Sequence, residues 1–131
     1  VRLMTVHASK GLEFPMVVLP DLSRASPPLR SMWLAHPSYG LAVSLHDAAG
    51  EQQKPQVWQR ALAREQQMQH AEQERLFYVA LTRTSDYLIL SGKALQPRGW
   101  LHLLGRGLGD ADFATLPAGA YGAMQVWRWT D

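Results

Sequence analysis

Glu72–Leu90 reads EQERLFYVALTRTSDYLIL, and its two halves follow different periods. Leu76, Val79 and Ala80, with Phe77 beside them, recur at the spacing of one helix face. Tyr87-Leu88-Ile89-Leu90 is instead a short continuous apolar run, suited to a buried strand. The stretch therefore predicts a helix that runs into a strand. Thr82-Arg83-Thr84 lies at the junction, so a guanidinium is delivered at a helix end with regular structure on both sides. Read from the residues alone, Arg83 is either an ordinary surface charge or a phosphate ligand, since its planar fork matches the oxygens of a phosphoryl group.

Upstream, the helix extends back to Pro55, a residue that fits a first helical turn. Val57, Ala61, Met68 and Ala71 lie near one stripe, while Arg60, Arg64, Glu65, Gln67, Gln69 and Glu72 fill the rest. A helix so polar over its middle is expected at the surface until Leu76–Ala80 enters the core. Arg60 and Arg64 share a face and can meet either solvent or a phosphate backbone, of which solvent is the commoner.

The other informative region opens the chain. Val1–Val6 alternates as a strand would, predicting a first strand over residues 1–7, and the absence of any leader before it reads as a piece of a longer polypeptide. His7-Ala8-Ser9-Lys10-Gly11-Leu12-Glu13 then concentrates, with Thr5, hydroxyl, imidazole, ammonium and carboxylate groups around a glycine. Phe14-Pro15-Met16-Val17-Val18-Leu19-Pro20 is continuously apolar, as in a central strand of a parallel sheet, with Pro15 at its beginning and Pro20 at its exit. Functional groups at the carboxyl end of the first strand match where ligands bind in open α/β sheets.

Taken together, TVHASKGLEFPMVVLPDL resembles motif V of superfamily 1 helicases of the UvrD, Rep, RecB and AddA type. EQERLFYVALTRTSDYLIL resembles their motif VI, and LAHPSYGLAVSLHD resembles an insertion of the AddA- and RecB-like helicase-nucleases. The resemblance covers residues 1–92. It implies an α/β fold, namely a partial RecA-like motor domain 2A with a mainly parallel sheet, truncated on its N-terminal side. Residues 1–92 would form that domain, with an insertion at about 21–55, and 93–131 an extension packing on it or on parts beyond the chain.

The resemblance also implies roles. Thr5 and His7 correspond to residues on the single-stranded DNA side, with Ser9 and Lys10 shaping the connection to the nucleotide. Glu13 matches the glutamate that binds the ribose of ATP, and the backbone at Gly11 approaches the phosphates. Arg83 matches the arginine finger that contacts the γ-phosphate from across the interdomain cleft. Tyr78 helps position the motif VI helix. Thr84-Ser85 stands where the family often has alanine and a basic residue, and Tyr87 where arginine is frequent; both departures lie outside the arginine itself.

ATP and Mg2+ are thus expected cofactors of a full-length parent, with neither bound tightly by this chain alone. The expected partners are single-stranded DNA, a motor domain bearing the phosphate loop and a second helicase-nuclease subunit. No glycine-rich loop with lysine and Ser or Thr occurs here, since Gly92-Lys93 is followed by alanine, so the isolated chain is expected to be inactive. A non-catalytic DNA-binding or assembly module with the same fold is the main alternative. A nucleotide enzyme of another type would leave the ordered pair of motifs unexplained.

Composition narrows the rest. With 131 residues there is room for one small domain. Thirteen Lys plus Arg against 11 Asp plus Glu leave a net charge of +2, so any nucleic acid must be contacted locally. The lack of cysteine removes disulfides and thiolate metal sites, and no apolar run reaches the length of a membrane span. A soluble cytoplasmic chain with no membrane partner and no metal site of its own is expected, Asp21, His36, His46 and Asp47 being satisfied surface groups.

In the middle, Asp21–Leu34 reads as a loop in which Leu29, Met32 and Trp33 form a helical turn, and His36–Gly40 as a tight turn. Leu41, Val43 and Leu45 alternate on one face of an edge strand, and Asp47–Pro55 is expected to be the most mobile internal loop. Beyond Gly92, residues 93–98 read as a loop, Trp100–Gly105 as a short helix with either Leu101 and Leu104 or Trp100 and Leu104 inward, and 111–114 as another helical turn. Pro117–Gly122 reads as flexible, before a terminal strand over Met124–Trp129. Trp127 and Trp129 would share a face of that strand, for core packing or base stacking. A sheet edge left open in the first residues favours self-association.

Overall fold

The computed structural model describes residues 1–27, 29, 31–93 and 98–128. After a 3-10 turn at His7–Ser9 come β1 (Phe14–Leu19), β2 (Trp33–His36), β3 (Gly40–Val43), β4 (Leu45–His46), β5 (Gln52–Gln53) and α1 (Gln56–Leu81). β6 (Thr84–Leu90), α2 (Gly99–Gly107), β7 (Gly119–Tyr121) and β8 (Met124–Val126) follow. β1 and β6 pair in parallel, while β2–β3, β4–β5 and β7–β8 are antiparallel. The class is α/β, with the parallel pair as the principal sheet. Two compact units divide the chain, one formed by Val1–Leu12 and Ser26–Thr82, the other by Glu13–Ala25 and Arg83–Asp131.

In the second unit, the register of β1 on β6 shifts between Phe14 and Met16, which pair with Thr84 and Tyr87. One residue of β1, Pro15, thus opposes two of β6, Ser85 and Asp86. Proline has no N–H for the ladder, and a bulge is where such a residue is tolerated. Beyond the bulge, Val17 and Leu19 with Leu88 and Leu90 are half-buried, whereas Met16, Val18, Tyr87 and Ile89 are exposed. β1 was expected to be a central strand; among the described residues it pairs on one side only, and one of its faces is open. Coverage of a parallel pair depends on what packs over it, which periodicity does not encode.

The first unit is built on α1, 26 residues long, which Pro55 precedes as N-cap. Its buried residues are Trp58, Ala61, Phe77 and Ala80, and the first two pack with Ala42, Leu34 and Leu62. Val57 and Met68, on the stripe read from sequence, are each 48% exposed, while the large indole of Trp58 packs with Ala42. Lys54 lies 5.6 Å from the Trp58 ring centroid, a cation–π distance. β3 shows the converse. Leu41, Val43 and Leu45 do share a face, but it is the exposed one; small Ala42 packs with Trp58 and Ala61 of the helix, and buried Ser44 hydrogen-bonds with Gln52 and Gln53.

Two further expectations in this unit are corrected, and a third segment has a defined hydrogen-bond pattern. Residues 1–5 form no strand, since nothing among the described residues pairs with them and a strand is stable only within a ladder. Trp33 opens β2 instead of a helical turn, because β3 supplies it a partner at Val43. The 47–55 segment is a hairpin organised by Asp47, whose Oδ1 accepts from the Ala49 and Glu51 amides and whose Oδ2 accepts from Gln53 Nε2. The Gln53 hydrogen bond, followed by that from Glu51, holds the Asp47 carboxyl below its ordinary value.

In the second unit the C-terminal residues pack back onto the end of β1. The Leu101 amide at the start of α2 donates to the Leu22 carbonyl at 3.0 Å, and both side chains are buried. Gly99 has φ 57, and a Cβ there would collide with the Arg24 carbonyl, so only glycine fits. Residues 113–115 form a turn capped by Asp112, and Arg128 clasps it by donating to the Phe113, Ala114 and Leu116 carbonyls. Within Pro117–Gly122, Gly119–Tyr121 pairs with Met124–Val126 as a short hairpin arm. The terminal strand stops at Val126; Trp127 lies past it and is exposed, while Trp129 and residues 94–97 fall outside the described residues.

Candidate functional site

Arg83 follows the C-cap residue of α1 and directly precedes β6. Upstream, α1 ends at Leu81, and Thr82 closes it by donating its amide to Tyr78 O at 3.0 Å and its hydroxyl to Val79 O at 3.1 Å. Those bonds satisfy carbonyls that a helix terminus otherwise leaves unpaired. Downstream, the Arg83 carbonyl accepts from the Phe14 amide at 2.9 Å, and Thr84 begins the ladder with Phe14. The bulge at Ser85-Asp86 follows directly, held by Thr84 Oγ1 to Tyr87 O at 2.8 Å. The side chain itself is half-buried and has partners of its own.

Glu13 precedes Phe14 as Arg83 precedes Thr84, so parallel pairing sets the two backbones side by side at the amino ends of β1 and β6. Sequence placed the functional groups at the carboxyl end of a first strand; that strand does not form, and this pair occupies the opposite end of the strands observed. Glu13 is exposed.

Thr5, His7, Ser9, Lys10 and Gly11 are gathered in one turn of the first unit. Thr5 Oγ1 accepts from the Ala8 amide at 3.3 Å, and the Ser9 amide and hydroxyl both donate to Val6 O, at 3.2 and 2.7 Å. Ser9 is buried, so its hydroxyl shapes the turn from inside. His7 and Lys10 are exposed. Gly11 has φ 77, and a Cβ built on it meets nothing within 4 Å, so its backbone is open to approach. Tyr78 is 68% exposed on α1.

Sequence reasoning did not single out Glu72 and Arg75. Arg75 donates to Glu72 through Nε at 2.9 Å and Nη2 at 2.6 Å, a bidentate pair, and Glu72 Oε1 lies 4.0 Å from His7 Nε2. The i,i+3 spacing of opposite charges was the available signal. Arg75, through its hydrogen bond first and its charge second, holds the Glu72 carboxyl below its ordinary value, and His7 adds to the same effect. Among the described residues no group of three or more His, Asp or Glu is arranged to hold a metal. No helix among them is long and apolar enough to cross a membrane.

Residues 1–94 match the UvrD-like helicase C-terminal domain. Over 97 residues, 72% of the chain, the sequence is 39% identical to an ATP-dependent helicase/nuclease subunit from Desulforudis audaxviator. Subunits of the same name from Listeria monocytogenes and Pelotomaculum thermopropionicum are 42% identical over 93 residues, 69% of the chain, and 40% identical over 97 residues, 72% of it. The matched part spans 8% of the length of each of these relatives. The match covers the turn with Thr5 and His7 and the arginine at the head of the parallel ladder, and the chain is related in sequence to the helicase/nuclease subunits named above: it belongs to the UvrD-like helicase C-terminal domain family.

Proposed function

We propose that this chain is the arginine-finger half of an ATP-driven DNA helicase or translocase motor acting in DNA repair or recombination. Residues 1–92 are the motor domain 2A portion, 21–55 its insertion, and 93–131 an extension packed on it. The observation that carries the reading is the anchoring of Arg83 at the head of the parallel ladder, where its carbonyl accepts from the Phe14 amide. Electrostatic stabilisation of a transferring phosphoryl group gains from a guanidinium delivered by ordered backbone, which supports this role for Arg83.

Bound ATP supplies the phosphoryl group that is transferred. Arg83 directs its fork at that group from across the cleft formed with a second motor domain. Glu13 accepts hydrogen bonds from the ribose, and the open backbone at Gly11 approaches the phosphates. Thr5 and His7 grip single-stranded DNA, while Ser9 and Lys10 connect the two ligands. The described residues hold no cluster suited to magnesium, so its coordination is not assigned to them. Cycles of domain closure and opening then advance the strand. A second helicase-nuclease subunit is the further partner.

The test is made in the full-length protein. Arg83→Ala is expected to lower DNA-stimulated ATP turnover about 1,000-fold or more, the usual worth of an arginine finger, with single-stranded DNA affinity retained. Glu13→Ala is expected to weaken nucleotide binding more than DNA binding. Unchanged turnover in Arg83→Ala would sink the assignment, and retained turnover with lost DNA binding would favour a DNA-binding module.

A further inference from the structure

We propose that Glu72 is a positioning residue for His7, setting how the 7–9 turn meets single-stranded DNA. This rests on the DNA-side role of His7 in the proposed motor. Glu72 sits on α1 with its carboxylate fixed by the two hydrogen bonds from Arg75, at 2.9 and 2.6 Å. A fork holding both oxygens orients a carboxylate more tightly than a single contact does. Glu72 Oε1 then faces His7 Nε2 at 4.0 Å, an ion-pair distance longer than a hydrogen bond, whose full attraction requires a protonated imidazole.

The hydrogen bonds that shape the turn are local: Ala8 N to Thr5 Oγ1, Ser9 N and Oγ to Val6 O, Lys10 N to His7 O and Leu12 N to Ser9 O. Each of these fixes the turn's own form, and none of them reaches α1. The pairing of His7 with Glu72 does reach it, and so ties the turn to the helix leading to Arg83. Helix α1 thereby orients the imidazole as well as carrying the arginine at its far end. His7 and Glu72 are 71% and 42% exposed, so solvent limits the strength of the pair.

The experiment is a double-mutant cycle in the full-length protein, reading the concentration of single-stranded DNA that half-saturates ATPase stimulation together with the stimulated maximum. Glu72→Gln is expected to raise the half-saturating concentration about 3- to 5-fold, the range open to an exposed ion pair, and to move the maximum less. In the His7→Asn background it is expected to add nothing. Arg75→Gln, which frees the carboxylate, is expected to reproduce the shift in weaker form. Equal effects of Glu72→Gln in both backgrounds, or a change in thermal unfolding with no change in DNA response, would overturn the proposal while leaving the DNA role of His7 intact. No response to His7→Asn alone would instead remove that role, and the proposal with it.

Discussion

The two segments that bring the motif residues forward are held in different ways. Arg83 stands between a 26-residue helix and a seven-residue strand, with its carbonyl bonded to the Phe14 amide. Among the described residues Thr5–Gly11 belongs to no strand; hydrogen bonds within the turn shape it, and His7 makes an ion-pair contact with α1. The contrast separates two demands. An arginine that stabilises charge in a transition state gains from being immovable, because reorganisation during the reaction weakens it. The DNA contact proposed for the turn calls for exposed groups, and His7 and Lys10 are exposed.

The contrast can be broken first at the base of that anchoring. Phe77 is 6% exposed in the last turns of α1, and Phe77→Ala is expected to cost about 3–5 kcal/mol in denaturant unfolding. A loss below about 1 kcal/mol would mean that the helix end is not held by its core. The anchoring of Arg83 itself can be tested next by inserting one glycine after Thr82, which keeps the guanidinium but displaces it. Turnover of the full-length protein is expected to fall about 100-fold, as misplacement of about 1 Å can do, with a smaller loss from the same insertion after Lys10. Equal losses at both places would erase the distinction.

A third and smaller effect belongs to the turn. Gly11→Ala meets no steric neighbour, so its whole cost is that of a side chain at φ 77, about 1–2 kcal/mol. Stability unchanged by that substitution would show that the turn relaxes freely. The smallest effect is with pH. The Glu72 carboxyl is held below its ordinary 4.5 by Arg75, so its contribution is present above that value and is lost as pH falls through the depressed one. Amide chemical shifts of residues 7–9 are expected to move in that acid window, and Glu72→Gln to flatten the response.

How much was legible beforehand follows the range over which each interaction acts. Pro55 beginning α1, the apolar run of β1 with Pro15 near its start, the step from helix to strand at Thr82-Arg83, and the α2 core residue Leu101 are all local patterns, and each stands where sequence put it. The motif residues are likewise readable by type and order, which sufficed for the family. Sequence misjudged positions where two local readings are equally good. An alternating strand has two faces, and the choice of the Ala42 face as the inner one depends on Trp58 filling the space against it. Residues 1–5 alternate as well as any strand, yet no ladder forms there among the described residues.

What the sequence by itself determined is therefore the elements with a strong local pattern, α1, β1, β6 and α2, and the family, because backbone propensity and apolar period act between near neighbours. Only the tertiary structure decided which faces are covered, that Pro15 meets a bulge, that Glu13 and Arg83 lie side by side, and that His7 faces Glu72. Each of those depends on a partner far away along the chain. Partners of that kind are chosen by packing and hydrogen-bond pairing in three dimensions, of which a one-dimensional pattern holds no record.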